Sequence, residues 1–205
     1  GTGNLTSADF AQTGGTLGSS FANLNLGSLG DFFLSSSLSA TQSISLTSSA
    51  AISSAGQSVV LTAPSVVLDA GTGVGSLATP LQLNTQALLA TTGSGGMYLV
   101  NSPTGAVSLR GLSTGNASNL SYSQNGQALN VLGNITSGGG DILIDPPTDL
   151  TMSPSATVST ATGNIDLQAS GNVLLATVSA PTGNVAVSTT GGSIGSATPG
   201  VNNVT

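Results

Sequence analysis

The sequence predicts an all-β fold, a parallel β-solenoid of about 20–22 residues per coil. Three observations carry that reading. First, Gly163-Asn164 and Gly183-Asn184 lie 20 residues apart and each opens a short alternating run. Ile165 and Leu167 point one way with Asp166 opposite, and Val185 and Val187 repeat this around Ala186. A period of two is a strand signal, and its recurrence near one fixed offset says that strands stack as coils. Second, Ile44/Leu46, Val66/Leu68 and Leu88 recur at 22 residues, as do Ile52 and Val74, and Val59/Leu61 and Leu81/Leu83. Three strand columns at one offset build a coil with a three-sided cross-section. Third, nothing recurs at three and four residues over a useful length, and Gly, Ser, Thr and Val lower helix propensity.

Taken in order, residues 1–40 read as irregular entry rungs. Gln12-Thr13-Gly14-Gly15-Thr16-Leu17 is a turn entering a strand, and Phe21, Phe32 and Phe33 are expected to fill wide corners of the core or cover an entry rung. Residues 41–205 read as parallel β-helix rungs. Ser-Ser-Ala, Ala-Gly-Gln, Ala-Pro and Gly-Thr-Gly supply their connectors. Pro64 and Pro80 stand at strand entries, where a missing N–H costs the ladder least. Met97–Val100 and Ala106–Leu109 are strands on either side of a turn. The stretch 112–125 alternates poorly and is expected to be a loop or a distorted rung. Leu129-Asn130-Val131 resumes the pattern. Ile142/Ile144, Leu150/Met152 and Val158 then register with Ile165/Leu167, Val173/Leu175 and Val178, with Pro146-Pro147 placed in a protruding corner.

Composition limits function. Lys, Glu, His and Cys are absent, Arg110 is the only base, and seven Asp give a net charge of -6. One positive charge cannot hold a polyphosphate backbone, so nucleic-acid binding is not expected. Anionic lipid is disfavoured for the same reason, and no run of 18 apolar residues suggests direct membrane insertion. Ser 33 and Thr 26 are suited to outer columns, where stacked like charges would repel and hydroxyls would not. The chain begins at Gly1 and stops at Thr205 in mid-pattern, as a processed or truncated piece of a longer protein would. Open β-coil ends expose unpaired edges, so continuation or self-association through the ends is expected.

With Gly163-Asn-Ile-Asp-Leu167, Gly183-Asn-Val-Ala-Val187 and Ala11-Gln-Thr-Gly-Gly-Thr-Leu17, the chain resembles the filamentous-haemagglutinin-like repeat regions of very large bacterial surface proteins. Gly71-Thr-Gly-Val-Gly-Ser-Leu-Ala-Thr-Pro-Leu81 is similar to their rung-to-rung connectors. The resemblance implies a right-handed parallel β-helix, an extracellular or bacterial cell-surface location, and a role as adhesin or filament shaft. It also implies a protein or glycan partner on a host surface or a neighbouring cell.

No residue is singled out as catalytic, cofactor-binding or metal-binding, and no cofactor is expected. Several alternatives have named carriers. Asp141, Asp145 and Asp149 recur at intervals of four around the prolines, as an acid/base pair for sugar cleavage or a calcium site would require. Gly138-Gly139-Gly140-Asp141 covers part of a glycine-rich calcium repeat. Turn positions facing solvent are the simpler reading, and Asp166 is expected on the outer face of its strand. Asn4, Asn116, Asn119, Asn134 and Asn203 stand in glycosylation sequons. Thr157, Ser159, Thr160, Thr162, Thr177 and Thr182 hold no single spacing, unlike a flat ice-binding array. Arg110 alone is a poor start for a lyase cleft. An exposed aromatic patch around Phe21, Phe32, Tyr98 or Tyr122 would favour lateral recognition of a glycan or protein.

Overall fold

The computed structural model describes residues 2–7, 10–12, 21–145, 148–198 and 203–205. Every regular element among them is a β-strand, and every strand pairing is parallel. The chain is a β-solenoid. One sheet stacks ten strands in a continuous path from Thr2–Ser7 to Ile194–Ser196, a second stacks eight, and a third stacks three.

The register explains why these residues choose this fold. Strand Asn23–Ser28 pairs with Ser43–Ser48 at an offset of 20, and Ser43–Ser48 with Ser65–Ala70 at 22. Leu150 pairs with Val173 at 23. Aliphatic side chains therefore stack on aliphatic side chains. Leu24, Ile44, Val66, Leu88, Leu109, Val131 and Met152 form one unbroken buried column through successive coils. Ile142, Ile165 and Val185 stack in the second sheet. Each such side chain contributes roughly 1.5–3 kcal/mol on burial. A one-residue slip would turn the whole column to water, so alternation and register enforce each other.

The cross-section changes along the rod. Early coils have a long first strand, such as Ser43–Ser48, and two short ones, Ile52–Ser54 and Val60–Thr62, separated by a corner. In the next coil that corner is the loop from Gly75 to Pro80, between the Val74 bridge and Leu81–Asn84. One coil later it is gone. Met97 sits over Val74 and Leu99 over Leu81, so the single strand Met97–Asn101 spans both columns. On the other side the reverse happens. Strand Val107–Thr114 carries a bulge at Arg110 against Ala87–Thr92, and from there the first column divides into Leu129–Val131 and Ile135–Ser137. Two coils in mid-rod are consequently two-sided, between three-sided coils whose corners lie on opposite sides.

Among the described residues of the first forty, the strands keep parallel register with the coils that follow. Phe10 pairs in register with Phe32 and Phe32 with Ile52, while residues 13–17 of the expected entry turn lie outside the described residues. Phe32 fills the core, Phe21 packs partly against it, and Phe33 faces outward. The stretch 112–125 is not a loop: it ends strand Val107–Thr114, turns, and holds strand Leu120–Gln124 with Tyr122 fully buried. The irregularity stands just ahead of it, at Arg110. Poor alternation here arises because polar Thr114, Tyr122 and Gln124 occupy inward positions. Pro146 and Pro147 lie outside the described residues.

The Ser and Thr side chains are not confined to outer columns. Ser28, Ser48, Thr92, Thr114, Ser137 and Thr160 are buried in one ladder at the end of the first-side strands, with Ala70 on the rung between Ser48 and Thr92. Each hydroxyl holds the turn that follows. Ser137 Oγ accepts from Gly140 N at 2.8 Å and donates to Ser118 O at 3.0 Å. Thr160 Oγ1 donates to Gly140 O at 2.8 Å and accepts from Gly163 N at 3.1 Å. An extended chain cannot turn a corner without freeing backbone groups, and these hydroxyls satisfy them inside the wall.

Candidate functional site

The acidic residues singled out in the sequence serve mainly as caps between coils. Asn119 Oδ1 accepts from Asp141 N at 3.0 Å, and Asp141 Oδ1 accepts from Asn164 N at 2.7 Å and Nδ2 at 3.0 Å. Asn164 Oδ1 in turn accepts from Asn184 N at 2.9 Å. A second ladder runs from Asp149 Oδ1 to Asn172 N at 2.6 Å, and from Asn172 Oδ1 to Ser193 N at 3.1 Å. Each oxygen satisfies the N–H of the corresponding residue one coil further on. Asp145 ends its strand exposed. Among the described residues no three acidic, His or Cys side chains converge as metal ligands. Gly138 and Gly140 pack against Asn116 and Ser118 of the preceding coil, so their lack of a side chain is a packing requirement.

The sequons differ in access. Asn116 is exposed at a turn with φ 51, and Asn119 and Asn134 are exposed with their oxygens engaged by Asp141 N and Thr157 N. Asn203 Nδ2 donates to Leu175 O, Ala176 O and Thr198 Oγ1, which ties up the amide. Of Asn4 only the backbone is described. Thr160 points inward, which removes it from any outer threonine plane.

Of the expected aromatic patch, Phe32 and Tyr122 are buried and Phe21 packs partly against the core, while Tyr98 lines a surface recess. The loss of a corner between successive coils leaves a step on the second sheet. Above it Ser76 and Thr79 close a tight loop, Ser76 N donating to Thr79 O at 3.1 Å and Thr79 N to Ser76 Oγ at 3.0 Å. This loop holds Leu77 out with 80% of its surface exposed. Beside Leu77 runs a groove of about 340 Å³, lined by Tyr98, Leu143, Asp141, Asn164 and Asp166. Asp166 does face outward, where Oδ2 accepts from Gln168 Nε2 at 2.7 Å. The groove therefore offers an aromatic flank, aliphatic walls and carboxylate acceptors, the equipment of a recognition surface.

Sequence reasoning missed a buried polar cluster behind this sheet. Asn101 Nδ2 donates to Tyr122 Oη at 3.1 Å and to Thr85 O at 3.0 Å, and Tyr122 Oη donates to Gln124 Oε1 at 2.8 Å. Gln124 Nε2 closes the cluster on Gly126 O and Gln127 O. Burial pushes the Tyr122 phenol well above its usual value, and the bond from Asn101 opposes that only in part. The available signal was Asn101, Tyr122 and Gln124 standing at inward positions of otherwise alternating runs.

Comparison with protein-family models, with curated proteins and with solved structures finds no match to the chain.

Proposed function

We propose that the chain is a non-catalytic length of shaft in an exported bacterial surface protein or filament, holding a binding end away from the cell. The observation that carries this reading is the single aliphatic column from Leu24 to Met152, repeated coil upon coil in parallel register. Such a stack transmits length, because each coil supports only its neighbours. Low charge supports the same reading, since columns of like charge at about 4.8 Å would repel. The resemblance of the Gly-Asn rungs to filamentous-haemagglutinin-like repeats supplies the location and the adhesive context. Electron microscopy of the isolated protein tests it: rods with a rung spacing near 4.8 Å, joined lengthwise, are expected, and compact particles would sink it.

A second reading is lateral recognition of a glycan or protein. It is favoured by Tyr98, which stands in a groove with Asp141 and Asp166. Binding on a glycan array that disappears in Tyr98→Ala, with the rod unchanged in microscopy, would assign recognition to this segment. No difference between the two proteins would leave the shaft reading alone.

A further inference from the structure

The changes of cross-section in successive mid-rod coils produce two surface features. On one side the vanished corner leaves Leu77 above the groove that holds Tyr98, Asp141 and Asp166. On the other side the bulge lifts Arg110 out of the sheet. Leu109 pairs with both Leu88 and Val131, so Leu89 and Leu132 stand next to Arg110 on the neighbouring coils. Leu89 is 38% exposed and Leu132 51%. The single base of the chain is thus set between two exposed leucines, its guanidinium without a hydrogen bond or ion pair among the described residues. In the groove, Asp141 and Asp166 accept only from neutral amide and backbone groups.

We propose that the Arg110 knob of one copy docks in the Asp141–Asp166 groove of a second copy, joining rods side by side. Knob and groove carry opposite charge, and each supplies apolar surface: Leu89 and Leu132 on one, Leu77, Tyr98 and Leu143 on the other. The leucines supply the affinity, while the exposed charges set partner and orientation, since an exposed ion pair alone is worth little. The coil of Arg110 lies between those of Tyr98 and Leu143, so knob and groove overlap in height along the rod. The mid-rod coils are two-sided, so knob and groove face opposite ways. Each copy can therefore use both, and the contact is heterologous, adding copies in an open row rather than closing a dimer. This lateral contact does not depend on the role of the shaft and leaves the rod ends free.

Sedimentation velocity over a concentration series tests the proposal. The wild type is expected to grow in mass with concentration at low salt and to lose this lateral growth at about 0.5 M NaCl, where screening acts within a few ångströms, while any lengthwise joining through the ends persists. Arg110→Asp and Asp166→Arg, each checked for native circular dichroism, are expected to weaken association about tenfold or more. Mixed together they should pair again, because the acidic knob of one then meets the guanidinium placed at position 166 in the groove of the other. A wild type that stays monomeric at low salt overturns the proposal. So does association that neither variant alters, which would place the contact at the rod ends, and so does a mixture that fails to pair.

Discussion

At the scale of single residues, the buried cluster around Tyr122 is where chemistry departs most from the repeating pattern. Its phenol is neutral in the fold and held so by burial, so its folded pKa lies above the ordinary value near 10. The folded state therefore keeps a proton that the unfolded chain releases. That contribution to stability is fully present below about pH 10 and is lost as pH rises through and beyond it, by about 1.4 kcal/mol per unit. Denaturation midpoints measured from pH 9 upward should show this decline. Tyr122→Phe should remove most of the slope and, at neutral pH, cost about 1–3 kcal/mol, because Gln124 Oε1 loses its donor. An unchanged alkaline slope in Tyr122→Phe would sink the assignment. At this scale the sequence was least legible. The exposure of Tyr98 and the burial of Tyr122 follow from one inward–outward choice each, and a tyrosine serves on either side of a strand. Asp141 and Asp149 stand where turns were expected, but their engagement by the next coil depends on register, which a single Asp does not disclose.

At the scale of the element, each coil is a strand, a held corner and another strand, and the corners are more demanding than the strands. Ser137 and Thr160 hold successive corners of one ladder. Removing the Ser137 hydroxyl leaves Gly139 N and Gly140 N without it, so Ser137→Ala should destabilise by about 1–3 kcal/mol. Thr47→Ala, on the outer face of its strand, should stay within about 0.5 kcal/mol. The glycines divide in the same way. A side chain at Gly163 would run into the carbonyl oxygen of Gly140, and one at Gly183 into that of Gly163, whereas Gly56 has nothing within 4 Å. Gly163→Ala should therefore cost about 1–3 kcal/mol and Gly56→Ala almost nothing, which chemical denaturation of the pair will measure. The strands were legible because aliphatic residues at a fixed offset can mean little else: Ile44 with Val66 and Val158 with Val178 are neighbours as expected. The hydroxyl ladder was not, since Ser and Thr fit the outside of a strand as well as a corner's interior. Several of the buried ones recur a few residues before Gly, as in Ser137-Gly-Gly-Gly and Thr160-Ala-Thr-Gly, but Ser48 does not.

At the scale of the whole molecule, the chain is a stack held by apolar columns and hydrogen bonds from coil to coil, with few charges on its wall. With no His, Cys, Lys or Glu, no side chain ordinarily titrates between about pH 6 and 9. The acceptors that tie coil to coil are carboxylates and amides bonded to backbone N–H groups, and Arg110 takes no part in them. Folding stability should therefore be flat across that pH range. It should also move by no more than about 0.5 kcal/mol between low salt and 0.5 M NaCl, since screening has few exposed charges to act on. Side-by-side association rests on Arg110 meeting Asp141 and Asp166, and screening must weaken it over the same range. The two properties can be read on one sample, with thermal unfolding reporting the fold and sedimentation reporting assembly. If salt shifted the unfolding midpoint and the state of association together, the rods would owe their stability to their neighbours, and a wall that stands by stacking alone would be the wrong physical picture.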